Sequence, residues 1–171
     1  MNRGQVNQVF IFIIAILVVG VIVIVGVRSM SGLIDDKCTA DFVTFQDRLR
    51  DAVLTNNDYK AVNEAKLSSP CGYQYLCMVD SRHVKEGNLL NGFTGEKGSF
   101  IIRDSVKDKV EANVFLVNAN DDVKEVGYIS QLHTNEYNSN NNDGVLCVEA
   151  KSGRFRLRLN GEGRTTLVTE P

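Results

Sequence analysis

Residues Val9–Val27 read VFIFIIAILVVGVIVIVGV, nineteen consecutive positions with no charge, no polar side chain and no proline. A helix of that length rises about 28 Å, close to the roughly 30 Å hydrocarbon core of a bilayer. The run predicts a membrane-spanning helix, with membrane lipid as its first partner. Ahead of it, Met1–Gln8 forms a short polar leader. Behind it, Arg28-Ser-Met-Ser-Gly32 is a juncture where the helix is expected to bend, because Ser and Gly are weak helix formers. Helical period then returns. Phe42, Phe45, Leu49 and Val53 recur at spacings of 3, 4 and 4, while Asp41, Asp47, Arg48, Arg50 and Asp51 fill the remaining positions. That stripe predicts an amphipathic helix packed on the protein's own sheet, and it needs no cofactor to explain it.

Beyond Thr55 the period changes. Asn56-Asn-Asp58 and the stretch to Pro70 read as a loop, with one helical turn at Tyr59–Lys66. Tyr73–Val79, Phe100–Arg103, Ala112–Asn118 and Val126–Leu132 are short runs rich in β-branched or aromatic residues, each a candidate strand. The end of the chain alternates most clearly. Val145–Ala150 is a strand and Lys151-Ser-Gly153 a turn. Phe155, Leu157 and Leu159 then alternate with Arg154, Arg156 and Arg158, giving one buried and one wet face. Asn160-Gly-Glu-Gly163 turns the chain into Thr165–Thr169, so this end predicts a β-meander. The fold class is therefore α+β: a long N-terminal membrane-spanning helix continuing into an amphipathic helix packed on a small antiparallel β-rich head. The organisation is leader 1–8, transmembrane helix 9–27, juncture and amphipathic helix 28–55, and head 56–171. An unbroken helix to Thr55 has about 50 residues and spans about 75 Å.

Cysteine placement adds the compartment. Cys38, Cys71, Cys77 and Cys147 all follow the apolar run. An even number on one side predicts two disulfides in an oxidising environment. The favoured pairing is Cys71–Cys77 as a local loop and Cys38–Cys147 as a long staple. Free thiols, or a zinc site from Cys71, Cys77 and Cys147 with His83 or His133, are the alternatives, although C-x5-C is not the tight knuckle that zinc usually recruits. The basic residues flanking the run set no clear orientation. The cysteines and the large C-terminal part favour an N-terminus in the cytoplasm and the head outside.

Charge changes the picture little. Ser29–Pro171 carries 17 basic and 21 acidic residues, so no broad basic field points to nucleic acid. The Arg154, Arg156, Arg158 row reads first as a solvated strand face that protects against edge pairing, and second as a surface for an acidic partner or neighbouring subunit. Chemistry is sparse. No G-x-S-x-G, H-E-x-x-H or C-x-x-C occurs. Gly92, Gly95 and Gly98 lack the order of a phosphate loop and read as a flexible turn. Asp80-Ser-Arg-His83 gathers triad residue types, but triads are assembled from distant segments. The Asn138–Asp143 loop offers oxygen atoms without the alternation of a calcium loop. The reading is a non-enzyme with no catalytic residue, no metal and no cofactor.

The leader carries the one resemblance. Arg3-Gly4-Gln5 followed closely by an apolar helix resembles the archaeal type IV pilin-like proteins of the class III signal peptide type. The resemblance covers about 25 residues. It implies cleavage between Gly4 and Gln5 by a membrane-embedded prepilin peptidase. It also implies assembly of copies, or of other pilin-like subunits, through the helix into an extracellular filament or pseudopilus-like structure. Many members carry glutamate at the fifth position after the cut, where this chain has Val9. Ala15, Gly20 and Gly26 are the small residues that let stems approach. The alternatives are a solitary single-pass tethered binding module, and a cleavable secretory signal peptide with Ser29-Met-Ser31 imitating a cleavage site. The nineteen-residue run exceeds the usual 7–15-residue signal core.

Overall fold

The computed structural model describes residues 3–86, 98–108, 110–134 and 144–171. Most of the Gly92–Gly98 turn and the Asn138–Asp143 loop lie outside the described residues. The chain forms two compact units, Met1–Ala40 and Asp41–Pro171. One helix, α1 (Arg3–Thr55), contributes to both. It runs through Ser29–Gly32 without interruption. Helix propensity at two serines and a glycine is a small term, which the favourable residues on either side outweigh.

In the first unit, Phe10–Arg28 is long and apolar enough to cross a membrane, and none of it is buried. In the second unit, the last turns of α1 lie against strands. These are β1 (Val62–Ser68), β2 (Tyr75–Val79), β3 (Val114–Val117), β4 (Val123–Gly127), β5 (Leu132–Thr134), β6 (Val145–Glu149), β7 (Arg154–Gly161) and β8 (Thr166–Thr169). Among the described residues, two helices, α2 (Ser81–Glu86) and α3 (Ser99–Lys107), fall between β2 and β3. The strands make two sheets, ordered β1-β7-β8-β5 and β4-β3-β2-β6. All pairings are antiparallel except β5 with β8. The coarse expectation, an apolar N-terminal helix with antiparallel-rich β structure, holds. The single antiparallel sheet does not.

One core joins the inner faces of both sheets to the stripe of α1. It contains Phe45, Leu49 and Val53 of the helix, Leu76 and Met78 of β2, and Phe155, Leu157 and Leu159 of β7. Phe42 packs at its edge, so all four stripe residues face this core. The Phe45 and Phe155 rings meet edge to face at 5.9 Å. Each large apolar side chain buried this way contributes about 1.5–3 kcal/mol. A second cluster lies on the other face of β2 and β3, where Cys77, Val79, Phe115 and Val117 meet Ile102 and Val106 of α3. Thus β2 is covered on both faces, which is why Leu76–Val79 reads as an unbroken apolar run. The outer face of the β1-β7-β8-β5 sheet carries exposed residues along β1 and β7.

Several local expectations are corrected. Tyr59–Lys66 is not a helical turn: β1 starts at Val62 and pairs with β7 along its whole length, from Val62↔Asn160 to Ser68↔Arg154. Non-local pairing outweighs local propensity there. Phe100–Arg103 belongs to a helix, because Ile102 and Val106, four apart, bury together on β2–β3 while Phe100 stays exposed. A four-residue apolar run cannot separate the two states by period. Val126–Leu132 is split between sheets, with Gly127 at φ 146° ending β4. The C-terminal meander is also divided, since β6 pairs with β2 and not with β7. Ser152 and Gly153, both at positive φ, make the tight turn that hands the chain from one sheet to the other.

Candidate functional site

Four regions carry the sequence-derived candidates. The first is the N-terminal helix. Arg3, Gly4 and Gln5 fall in its first turn, with side chains outside the described residues. Ala15, Gly20 and Gly26 lie along the apolar segment. At about 100° per residue, Ala15 and Gly26 are about 20° apart around the axis, whereas Gly20 is about 140° from Ala15. The three small residues therefore do not form one groove. A Cβ built at Gly20 or Gly26 meets nothing within 4 Å. Around the whole circumference, Phe10, Ile16, Leu17 and Ile22 are among the side chains that stay more than 60% exposed.

The second region is the set of cysteines. No cysteine is free. Cys77 is bonded to Cys147, with Cα atoms 4.0 Å apart and a sequence separation of 70. The two face each other directly across the β2–β6 ladder. Cys38 and Cys71 are disulfide-bonded as well. The favoured pairing of Cys71 with Cys77 and Cys38 with Cys147 is thus wrong. Adjacent strands set Cys77 against Cys147, and sequence spacing carries no record of which strands are neighbours. The zinc alternative falls with it, because none of the three thiols is free to ligate a metal.

The third region is Asp80. It lies at the end of β2, fully buried, and both carboxylate oxygens are occupied. Oδ1 accepts from the Arg82 backbone N–H at 2.9 Å and from Arg82 Nε at 2.8 Å. Oδ2 accepts from Arg82 Nη2 at 2.7 Å and from the Thr134 backbone N–H at 3.0 Å. Burial alone pushes the Asp80 carboxyl upward. The Arg82 side-chain hydrogen bonds, the two backbone N–H groups and the Arg82 charge together outweigh it and hold the group below its ordinary value. Thr134 Oγ1 donates to the Gly144 carbonyl at 3.0 Å, and the Asp80 N–H donates to the same carbonyl. Asp80 therefore caps α2 and ties β5 and the start of β6 to the end of β2. A carboxylate with both oxygens engaged is a clamp, not a poised base. The side chain of His83 lies outside the described residues. His133 stands 3.2 Å from Glu162, which also accepts from Thr165 Oγ1. No three potential metal ligands come together among the described residues.

The fourth region is the outer face of the β1-β7-β8-β5 sheet. Register places Lys66 opposite Arg156, Glu64 opposite Arg158, and Ser68 opposite Arg154. All six are exposed. Lys66 was not separable from sequence, since it fell in the stretch read as a helical turn, and only pairing with β7 brings it onto the arginine row. Clefts are modest. One of about 220 Å³ is lined by Asp41, Phe45, Arg48, Leu67 and Pro70 among others. A smaller one near Tyr128 holds about 40 Å³. Sites for drug-sized ligands usually enclose about 300–1,000 Å³.

With this geometry in hand, comparison gives no relative: no protein-family model, no curated protein and no solved structure matches the chain.

Proposed function

We propose that the protein is a pilin-like structural subunit, anchored in the membrane by its N-terminal helix and assembling through that helix into an extracellular filament or pseudopilus-like structure. The observation that carries this reading is the Phe10–Arg28 helix, apolar around its whole circumference and unburied, directly behind Arg3-Gly4-Gln5. In lipid such a helix is stable alone, because its backbone groups are satisfied internally. Out of lipid it must bury its side chains against other stems, since each exposed one costs about 1.5–3 kcal/mol. A head closed by disulfides fits the oxidising side of the membrane. On this reading the N-terminus is cytoplasmic, a prepilin peptidase cuts between Gly4 and Gln5, and the partners are membrane lipid and other copies or pilin-like subunits. The chain performs no catalysis.

The deciding experiment reads the stem directly. Intact mass of protein from cells holding the peptidase should show loss of Met1–Gly4. Photo-crosslinkers placed singly within Phe10–Val27 should join copies. A retained Met1 together with stems that never crosslink, in a protein monomeric in mild detergent, establishes instead a solitary tethered binding module.

A further inference from the structure

The charge on the head is segregated. Among the described residues, Lys66, Arg154, Arg156 and Arg158 share the β1–β7 part of the sheet's outer face with Glu64, and His133 pairs with Glu162 farther along it. Successive residues on one face of a strand are about 6.8 Å apart, so the three arginines form a row about 14 Å long with Lys66 beside its middle. Among the described residues none of these four cations has an ion-pair partner: the pairs found are Arg82–Asp80 and His133–Glu162. Apart from the His133–Glu162 pair, the described residues of the face are four cations against one anion. The remainder of residues 41–171 holds 12 basic and 18 acidic residues. A third of those acids lie in and around α3 and β4, beyond the second sheet, where α3 covers β2 and β3 and carries Arg103 and Lys107 of its own. Asp104, Asp108, Glu111 and Glu125 are exposed there, with Asp121 and Asp122 in the adjoining β3–β4 turn, against the two cations Arg103 and Lys107. Ser105 Oγ reaches Glu125, so α3 and β4 form one surface. Lys124 does not neutralise it, because its ammonium lies 4.2 Å over the Phe42 ring, toward α1.

We propose that the cationic sheet face of one head docks on the acidic α3–β4 surface of a second copy of this chain. A face with three net positive charges repels its own image, so a two-fold isologous contact through it is excluded. Its complement is present on every copy, on the opposite side of the layered unit. The contact is therefore heterologous, head to tail, and it repeats. Arginine suits it, since its planar fork pairs with carboxylates in two-bond geometry. Contacts of this kind add orientation and selectivity more than affinity. The inference deepens the structural-subunit reading and rests on it: stems supply the attraction, and the charged faces set which side of one head meets the next.

The test uses full-length protein in neutral-lipid vesicles, as an equal mixture of isotopically light and heavy copies. A zero-length carbodiimide joins amines to carboxylates already in ion-pair contact. The expected products are mixed-isotope peptides linking Lys66 to the α3–β4 carboxylates. Their yield should fall at least about fivefold between roughly 0.05 M and 0.5 M salt, as exposed charges are screened. Charge reversal by Arg154→Glu, Arg156→Glu and Arg158→Glu together should abolish them, and Arg→Lys at the same positions should keep them. Mixing the reversed protein with a copy carrying Asp104→Lys and Asp108→Lys should restore linkage between the two altered surfaces. Absence of mixed-isotope links from Lys66, or links indifferent to reversal, overturns the proposal. So does capture of anionic vesicles by the same face without such links, which assigns it to a lipid surface. Stem crosslinking is scored separately. Stems that join while heads do not defeat this inference alone, and heads that join while stems do not defeat the filament reading alone.

Discussion

Asp80 and Gly161 show how much of the head depends on single residues. The Asp80 carboxyl is held below its ordinary value of 3.8 in the folded protein and returns to it on unfolding. The unfolded state therefore binds the proton more readily, and the stabilisation is present above about pH 4 and lost as pH falls through the folded value. Acid unfolding followed by circular dichroism should show this as a falling limb below about pH 4. Asp80→Asn should flatten that limb and cost about 2–3 kcal/mol at neutral pH, because the amide keeps one acceptor oxygen and turns an NH2 donor toward two N–H groups that the carboxylate satisfied. Gly161 is required for a different reason. A Cβ there would sit 1.9 Å from the Asp58 carbonyl oxygen and 2.5 Å from that of Asn56. Both are backbone atoms that cannot swing aside. Gly161→Ala should cost about 1–3 kcal/mol by forced displacement, read as a lower denaturation midpoint. Neither role was legible in the sequence. Asp80 resembled part of a triad, and Gly161 one more turn glycine in Asn160-Gly-Glu-Gly163.

At the scale of elements, the helix and the last strand pair were legible and the cross-connections were not. The stripe Phe42, Phe45, Leu49, Val53 gave both the helix and its buried face, because period 3.6 is a property of one segment. The alternation in Arg154–Leu159 did the same for β7. Where an element depends on a partner distant in sequence, local pattern failed: β1 exists because β7 lies beside it, and α3 is helical because β2–β3 offers an apolar face. The end of α1 is fixed in the same way. Thr166 Oγ1 of β8 donates to the Val53 carbonyl at 2.7 Å, satisfying one of the helix's final acceptors across 113 residues. The β2–β6 disulfide acts at this scale. Replacing Cys77 and Cys147 together by serine frees a 70-residue separation in the unfolded chain and should cost about 2–4 kcal/mol. Equilibrium urea unfolding measures it. An unchanged midpoint means that the β2–β6 ladder holds without the bond.

At the scale of the molecule, two units share one helix. The Asp41–Pro171 unit has its own core. A chain beginning at Leu33 should therefore be soluble, folded and monomeric, as checked by gel filtration and circular dichroism. Aggregation of that fragment would show that the head depends on the segment ahead of it. The apolar segment behaves oppositely. Leu17→Arg puts a charge at its centre at a cost of about 2.5–3.5 kcal/mol on insertion scales. Membrane fractionation should show reduced residence and the stem crosslinks should disappear. The head's own stability is read from the fragment beginning at Leu33, so a failure of the Leu17→Arg chain to insert leaves that measurement intact.

The sequence by itself determined whatever a single segment carries: an apolar run long enough for a bilayer, an amphipathic stripe, a strand with one wet face, and a change from helix to β structure after Thr55. It also placed all four cysteines beyond the apolar run. Only the tertiary structure decided which strands are neighbours, and most of what was misread follows from that. Cys77 met Cys147, β6 left the meander for the other sheet, Lys66 joined the arginine row, and Asp80 became a clamp. The physical reason is the range of the interactions. Helical and strand periods arise from backbone geometry within a few residues, whereas sheet order, disulfide partners and buried hydrogen bonds are chosen by surfaces that come together only when the whole unit closes its core.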